Sequence, residues 1–304
     1  MTNPTHPVYI ISKGRSDSMI TSRSLAKIKV PHYISVEPQD YDDYDRALDT
    51  FGIRDYVTLL LLPFSNHGDG PGRARNWCWD HSMSRMKAEK HWVLDDNISD
   101  FYRLHKNVRI RVGSGAIFKA AEDFVDRYEN IPISGFQYRF FIAPNQKYPA
   151  YVKNTRIYSC LLIDNSCKHR WRGRYNEDTD ICLRVLKDGD CTIQFNAFMQ
   201  GKAATQTVKG GNTEEFYHKE NTENEKFKKT GYNSQGTINK SQMLVDMHPD
   251  VARLVWRYGR WHHYVDYGPF KKNNLIYKSG VREALKNKVN NYGMRLITDW
   301  QDSC

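Results

Sequence analysis

Four short apolar runs recur through the first hundred residues, and each stops abruptly in polar or charged ones. They are "PVYII", "HYISV", "YVTLLLLPF" and "HWVL". Between them lie "SLAKIKV", "YDDYDRALDTFG" and "RARNWCWDHSMSRMKAEK", which carry the composition and spacing of helices. Pro38 stops the second strand. An acidic start and a late glycine bound the helix after it. Strands alternating with helices predict an α/β fold: a Rossmann-like, mainly parallel sheet flanked by helices. Such sheets bind ligands in the crevice beyond the carboxyl ends of their strands. The residues that follow each apolar run are therefore the ones to read for chemistry.

After the first run comes a basic, Gly-containing loop with Lys13 and Arg15. After the fourth come Asp95, Asp96 and Asn97. Side chains alternate faces at a strand end, so Asp95 and Asn97 would share one side. Hard oxygen ligands there suit Mg²⁺ or Mn²⁺, which take one or two carboxylates plus substrate phosphates. A polar turn after a strand accounts for the same three residues.

Three more segments carry candidate chemistry. "GPGRARNWCWDH" follows a Gly-rich loop and opens a helix with Arg73, Arg75 and Asn76, a natural place to hold an anionic or nucleotide ligand. Local capping by Arg75 and Asn76 is the plainer account. "GRYNEDTDICLRVLKDG" crowds Asn176, Glu177, Asp178 and Asp180 at the start of an apolar-periodic helix. Acids there stabilise the helix dipole, and one of them facing the cleft could serve as a general base. "KHRWRGRY" (168–175) and "RYGRWHHYVDYGPFKK" (257–272) interleave Arg with aromatics, a pattern that grips phosphates and stacks on exposed bases. It is also the pattern of a solvated face. His262 and His263 add two ligand or acid/base groups.

Later strands are "NIPISGFQYRFF", "NTRIYSCLLID" and "CTIQFNAFM", with the Glu177 helix between the last two. The 201–239 segment is polar and reads as a long loop. "HPDVARLVWRYGRW" reads as helical after Pro249, and "VREALKNKVNNYG" as a helix in the tail. The formal charge of +10 in 304 residues favours an anionic partner. Six cysteines without a CxxC pair read as reduced thiols and argue against a structural zinc site. No apolar stretch approaches the roughly 20 residues a bilayer span needs, and no secretory signal opens the chain. These features predict a cytoplasmic protein with no membrane partner.

The blocks "PVYIISKGR", "TSRSL", "ARNWCWDH", "WVLDDNI", "NTRIYSC", "RWRGRYNEDTDICLRVLKDG", "KGGNT", "HPDV" and "GRWHHYVDY" together resemble the TET-associated glycosyltransferases. That family is of the GT-A type and comes largely from bacteriophages. The resemblance implies a GT-A domain over 1–270, with a nucleotide-sugar-binding half at 1–100 and an acceptor half at 101–270, followed by a helical tail at 271–304. It implies metal-dependent transfer of a sugar from a nucleotide sugar, a UDP-sugar, to 5-hydroxymethylcytosine in DNA. A TET-type oxygenase would be the functional partner, and the cytoplasm of an infected bacterial host the setting.

Residue by residue, the resemblance gives Asp95 and Asp96 a metal and diphosphate role, with Asn97 where relatives carry another acid. Lys13, Arg15, Arg73, Arg75 and Asn76 join Asp95 in binding the donor. Asp178 is the general base, beside Glu177. His262 or His263 completes the metal or diphosphate site. Arg170, Trp171, Arg172, Arg174, Lys209 and Arg260 face the DNA. A glycan or lipid acceptor on the same fold is the nearest rival. A two-metal nuclease built from Asp95, Asp96, Glu177 and Asp178, or a non-catalytic DNA-binding module, are rivals from other classes.

Overall fold

A computed structural model describes residues 3–202, 235–257 and 260–286. The first half alternates as its periodicity predicts: β1 (Val8–Ile11), α1 (Ile20–Lys27), β2 (His32–Val36), α2 (Tyr41–Thr50), β3 (Val57–Leu61), α3 (Gly72–Ser84) and β4 (Lys90–Asp95). Then come β5 (Ile98–His105), β6 (Val108–Arg111), α4 (Ala116–Val125), β7 (Ile133–Tyr138), β8 (Tyr151–Lys153), β9 (Cys160–Asp164), α5 (Glu177–Lys187) and β10 (Thr192–Lys202). After the undescribed stretch follow α6 (Gln235–Met247), β11 (Ala252–Arg257), β12 (Arg260–Val265) and α7 (Val281–Lys286).

Ten strands form one sheet in the order β3-β2-β1-β4-β9-β7-β10-β5-β6, with β8 paired to β10. The β3-β2-β1-β4 half is wholly parallel, as expected. The other half is mixed, because β9 enters antiparallel to both β4 and β7, and β5 and β8 run against β10. Across the whole sheet seven of ten strands still share one direction, so the α/β class and the mostly parallel sense both hold.

Apolar runs such as Val8 to Ile10 and Trp92 to Leu94 are buried, as strands covered on both faces must be. The core on one face centres on Trp92, Phe101, Phe118 and Phe136, whose rings meet edge-on or tilted. Trp92 Nε1–H donates to buried Glu122 at 2.9 Å, and Glu122 also accepts from the Thr5 backbone N–H at 2.8 Å. The chain's beginning is thereby tied to α4. The other face packs Trp79, Val93, Leu161, Ile163, Trp171 and Ile181 between α3, β9 and α5.

Two expectations fail. "HPDVARLVWRYGRW" is a β-hairpin, β11 and β12, in which Trp256 faces Trp261 and Val255 faces His262. Its apolar residues fit an alternating period as well as a helical one, and cross-strand pairing decides in favour of the strand. Gly201 and Lys202, expected in the long loop, end β10, and Gln235 to Asn239, expected there too, begin α6. That helix is held by Leu244, which packs on Leu183, Leu186 and Phe270. Lys209, most of the 201–239 segment and the part of the expected tail helix that follows Lys286 lie outside the described residues.

β7 and β9 approach so closely that only glycine fits at position 135. A Cβ there would lie 2.1 Å from the Cys160 carbonyl oxygen and 2.6 Å from Ile157 Cγ2. Gly135→Ala must spread the strands that carry Tyr138 and Ser159, and overpacking of this kind costs about 1–3 kcal/mol or more. A urea melt should show that loss with the slope unchanged. A variant as stable as the parent would mean that the two strands part freely.

Candidate active site at the carboxyl edge of the sheet

Every parallel strand of the first half delivers its carboxyl end to one rim of the sheet. Ser12 follows β1, Glu37 follows β2, Leu62 follows β3, and β4 ends in Asp95. The first turns of α3 and α5 reach the same rim with Arg75 and with Glu177 and Asp178. From the mixed half, β7 contributes Tyr138 at its end, Ser159 precedes β9, and β10 finishes in Lys202. These residues line one cavity of about 420 Å³, within the usual range for small-molecule sites.

Arg75 is the hub. It is 2% exposed, donates from Nη1 to Asp178 Oδ1 at 2.6 Å and from Nη2 to Asp95 Oδ1 at 2.8 Å, and lies 3.4 Å from Glu177 Oε1. Its other face rests on the Trp171 ring, 4.6 Å from the centroid. A planar, permanently charged fork can bridge three carboxylates while its flat face stacks on a ring. Gly70 makes the approach to this helix: φ is +86°, and a Cβ would meet the Arg174 carbonyl oxygen at 2.6 Å.

Asp95 is also held by Ser159 Oγ at 2.7 Å and Lys202 Nζ at 2.6 Å. Burial alone would raise its pKa, but Lys202 and Arg75 outweigh burial and hold it well below the usual carboxylate range. Asp96 behaves oppositely. It pairs with Arg15 and accepts from Ser12 Oγ at 2.8 Å, yet burial outweighs those partners and raises it. Asp178 is pushed up to about 7, chiefly by burial against the pull of Arg75, with Glu177 and Asp95 adding to the rise. A carboxyl group poised there can accept a proton near neutral pH.

α5 is braced from behind. Asn176 takes a left-handed conformation, φ 50°, at its N-cap, and its Nδ2 donates to the Lys240 carbonyl at 2.6 Å. One turn in, the fully buried Asp180 accepts from Arg172, Arg184 and His248 Nε2, the last at 2.9 Å.

Of the residues singled out from sequence, Lys13, Arg15, Arg73, Arg75, Asp95, Asp96, Asn97, Glu177, Asp178, Arg174 and His263 line the cavity. Burial lowers the His263 imidazole to about 4, which keeps it neutral. Others lie elsewhere. Asn76 exchanges two 2.9 Å hydrogen bonds with the Trp171 backbone, in place of a donor contact. Trp171 is 3% exposed beneath Arg75, so it offers no face for a base to stack on. Arg170 covers the Trp79 ring and pairs with Asp80, and Arg172 belongs to Asp180. His262 is on β12 but not on the cavity wall, and the Arg260 side chain lies outside the described residues.

Sequence reading missed Glu37, Tyr138, Tyr158, Ser159 and Lys202 on the cavity wall. Glu37 carried a usable signal, an acid directly after the second apolar run. The other four sit where β7, β9 and β10 of the mixed half reach the rim, which local periodicity does not reveal.

The donor set has the hard oxygens a Mg²⁺ or Mn²⁺ ion takes, but its pairing does not fit one. Both oxygens of Asp95 are taken by fixed donors, and Asp96 is held by Arg15 and Ser12. Among the described residues no three His, Cys, Asp or Glu side chains gather as a metal-holding group.

The site is one cavity at the carboxyl rim of the sheet that brings cations and carboxylates together. The model of the family described as TET-Associated Glycosyltransferase matches residues 6–211, more than half of the chain, and the chain belongs to that family. A comparison with curated proteins gives no match. Among solved structures, the chain is similar to the mannosyltransferase PcManGT of Pyrobaculum calidifontis, in complex with GDP-Man and Mn2+. That likeness has 10% identity and a TM-score of 0.46, and it covers 68% of this chain and 59% of that one. The glycosyltransferase GlyE of Streptococcus pneumoniae TIGR4 is similar at 16% identity and a TM-score of 0.28, over 54% of this chain and 35% of that one. The chain thus spans less than two thirds of either protein. Among the described residues no helix is long and apolar enough to cross a membrane.

Arg75→Met removes the charge at similar length and strands the carboxylates it bridges. Breaking a buried ion pair from one side costs about 3–5 kcal/mol. Carboxylates left without their cation have raised pKa values, so the stability they cost grows as pH rises and shrinks as they take up protons. Denaturant melts at about pH 8 and about pH 5 should therefore show the larger loss at the higher pH. Equal losses would mean that Arg75 acts by packing alone.

Proposed function

We propose that this protein transfers a sugar from a nucleotide sugar, a UDP-sugar, to the hydroxyl of 5-hydroxymethylcytosine in DNA, with Asp178 as general base. The observation that carries the reading is Asp178 itself. It is a buried carboxyl raised to about 7 on the wall of a cavity that also holds Arg15, Arg75 and Lys202. Cations that can meet a diphosphate thus lie beside a base that can activate a hydroxyl.

In a single displacement the acceptor oxygen bonds to the anomeric carbon while Asp178 takes its proton. The bond from that carbon to the donor diphosphate breaks, and its electron pair leaves on the nucleoside diphosphate. Arg75 fixes the Asp178 carboxylate in place through the 2.6 Å bond. Glu37, beside Ser35 and Leu62 on the cavity wall, offers a carboxylate to a base N–H such as the imide of uracil.

The acceptor side rests on the family's TET association, the net charge of +10 and an aromatic series at the rim. Phe140 is 85% exposed, Phe140 and Phe141 have ring centroids 5.6 Å apart, Phe141 lies 6.0 Å from Tyr138, and Tyr138 stacks on Tyr158 at 6.1 Å. The series leads from solvent to the cavity wall and has Arg139 within it. Bases stack on such side chains at about 1–3 kcal/mol each. The hydroxymethyl group would come from a TET-type oxygenase acting on the same DNA in the host cytoplasm.

The test incubates the protein with a panel of nucleotide sugars and either hydroxymethylated or unmodified DNA, followed by mass spectrometry of the nucleosides. A hexose-sized gain confined to hydroxymethylcytosine is expected, and no gain with any donor sinks the DNA acceptor. Asp178→Asn should lower kcat by about 10²–10⁴-fold while the chain stays folded. Because the base works deprotonated, kcat/KM of the parent should fall as pH drops through about 7. A flat profile across that range would remove Asp178 from the role.

A further inference from the structure

Lys202 is the last residue of β10, placed by the same sheet that places Asp95. β10 pairs with β5 up to Gly201 opposite Asp100, and the register then shifts so that Lys202 faces Ile98. The Lys202 ammonium lies 2.6 Å from Asp95 Oδ2 and 2.6 Å from Ser159 Oγ, with the Tyr138 ring 5.7 Å away. Its side chain is 18% exposed. Burial would strip its proton, but Asp95 outweighs burial and keeps it charged.

The ammonium thus stands on the face of Asp95 that a divalent ion would need, with Arg75 already on the other oxygen. An ion added there would meet two fixed cations at close range, and at least one would have to leave. We propose that Lys202 fills the cation role at Asp95, and that its ammonium binds the donor's diphosphate and steadies the leaving group without an added metal ion. The inference rests on the donor half of the function proposed above. One N–H can remain on Asp95 while another turns to a phosphate oxygen, since an ammonium carries three donors in a compact charge.

The experiment is isothermal titration of the full chain with UDP, GDP, ADP and CDP, in EDTA and again with Mn²⁺ or Mg²⁺. One of these nucleotides should bind in EDTA within about threefold of its affinity with metal. Lys202→Ala should weaken that binding by about 10–100-fold, the range for one hydrogen bond to a charged group, and Lys202→Arg should restore most of it. Thermal melts check that the variants fold, and the comparison of wild type with and without metal stands even if they do not. Binding by the wild type only with metal overturns the inference and leaves the glycosyltransferase reading intact. Equal metal-free affinity of wild type and Lys202→Ala overturns it too, because Lys202 would then serve Asp95 alone. No binding of any nucleotide in either condition overturns the inference together with its donor half.

Discussion

A single guanidinium organises the rim of this sheet. Arg75 sits on the first turn of α3 and touches acids from β4 and from α5, elements that meet nowhere else through charge. Burying it without those acids would be prohibitive, and burying them without it nearly as bad. Trp171 completes the seat from below, and Asn76, one residue on, fixes the Trp171 backbone. The positions of the candidate base, the Asp95 carboxylate and the 170–175 loop are therefore one decision rather than three.

The charge count around that hub explains why neighbouring acids behave so differently. Asp95, Glu177 and Asp178 share Arg75 and Lys202, which leaves one negative charge in excess. Asp95, gripped by both cations, stays ionised. Asp178 has only the guanidinium and lies deeper among like charges, so the excess is relieved there by a proton. Two acids with opposed tendencies, one fixed as an anion and one able to take up and give back a proton, are what an acid–base reaction at a charged leaving group needs.

Much of this was legible in the amino-acid sequence, for physical reasons. Each parallel strand is a short apolar run, so its end is marked by the first polar residue, and Asp95 fell where the rule puts it. The crowd of acids before "ICLRVL" marked the start of α5 for the same reason that acids favour helix N-termini. What stayed hidden depends on pairing across the chain. Lys202 opens a polar stretch in the sequence and gains meaning only when β10, which it ends, is set against β5 and β7. The β11–β12 hairpin read as a helix because Val251, Leu254 and Val255 fit a helical period while Ala252, Leu254 and Trp256 fit an alternating one, and the Trp256–Trp261 contact that decides it joins residues on two strands. Trp171 and Arg172 looked like a nucleic-acid grip because sequence shows an Arg-aromatic run without showing which side is already filled.

The bracing of α5 bears on how much of the chain the site needs. The family match stops at residue 211, yet the helix that carries Glu177 and Asp178 is pinned by a Lys240 carbonyl and by His248, both beyond it. A fragment ending at residue 211 would keep Glu177 and Asp178 but lose the two contacts that brace the start of α5. A change at His248 can therefore shift the start of α5 without altering a residue of the cavity wall.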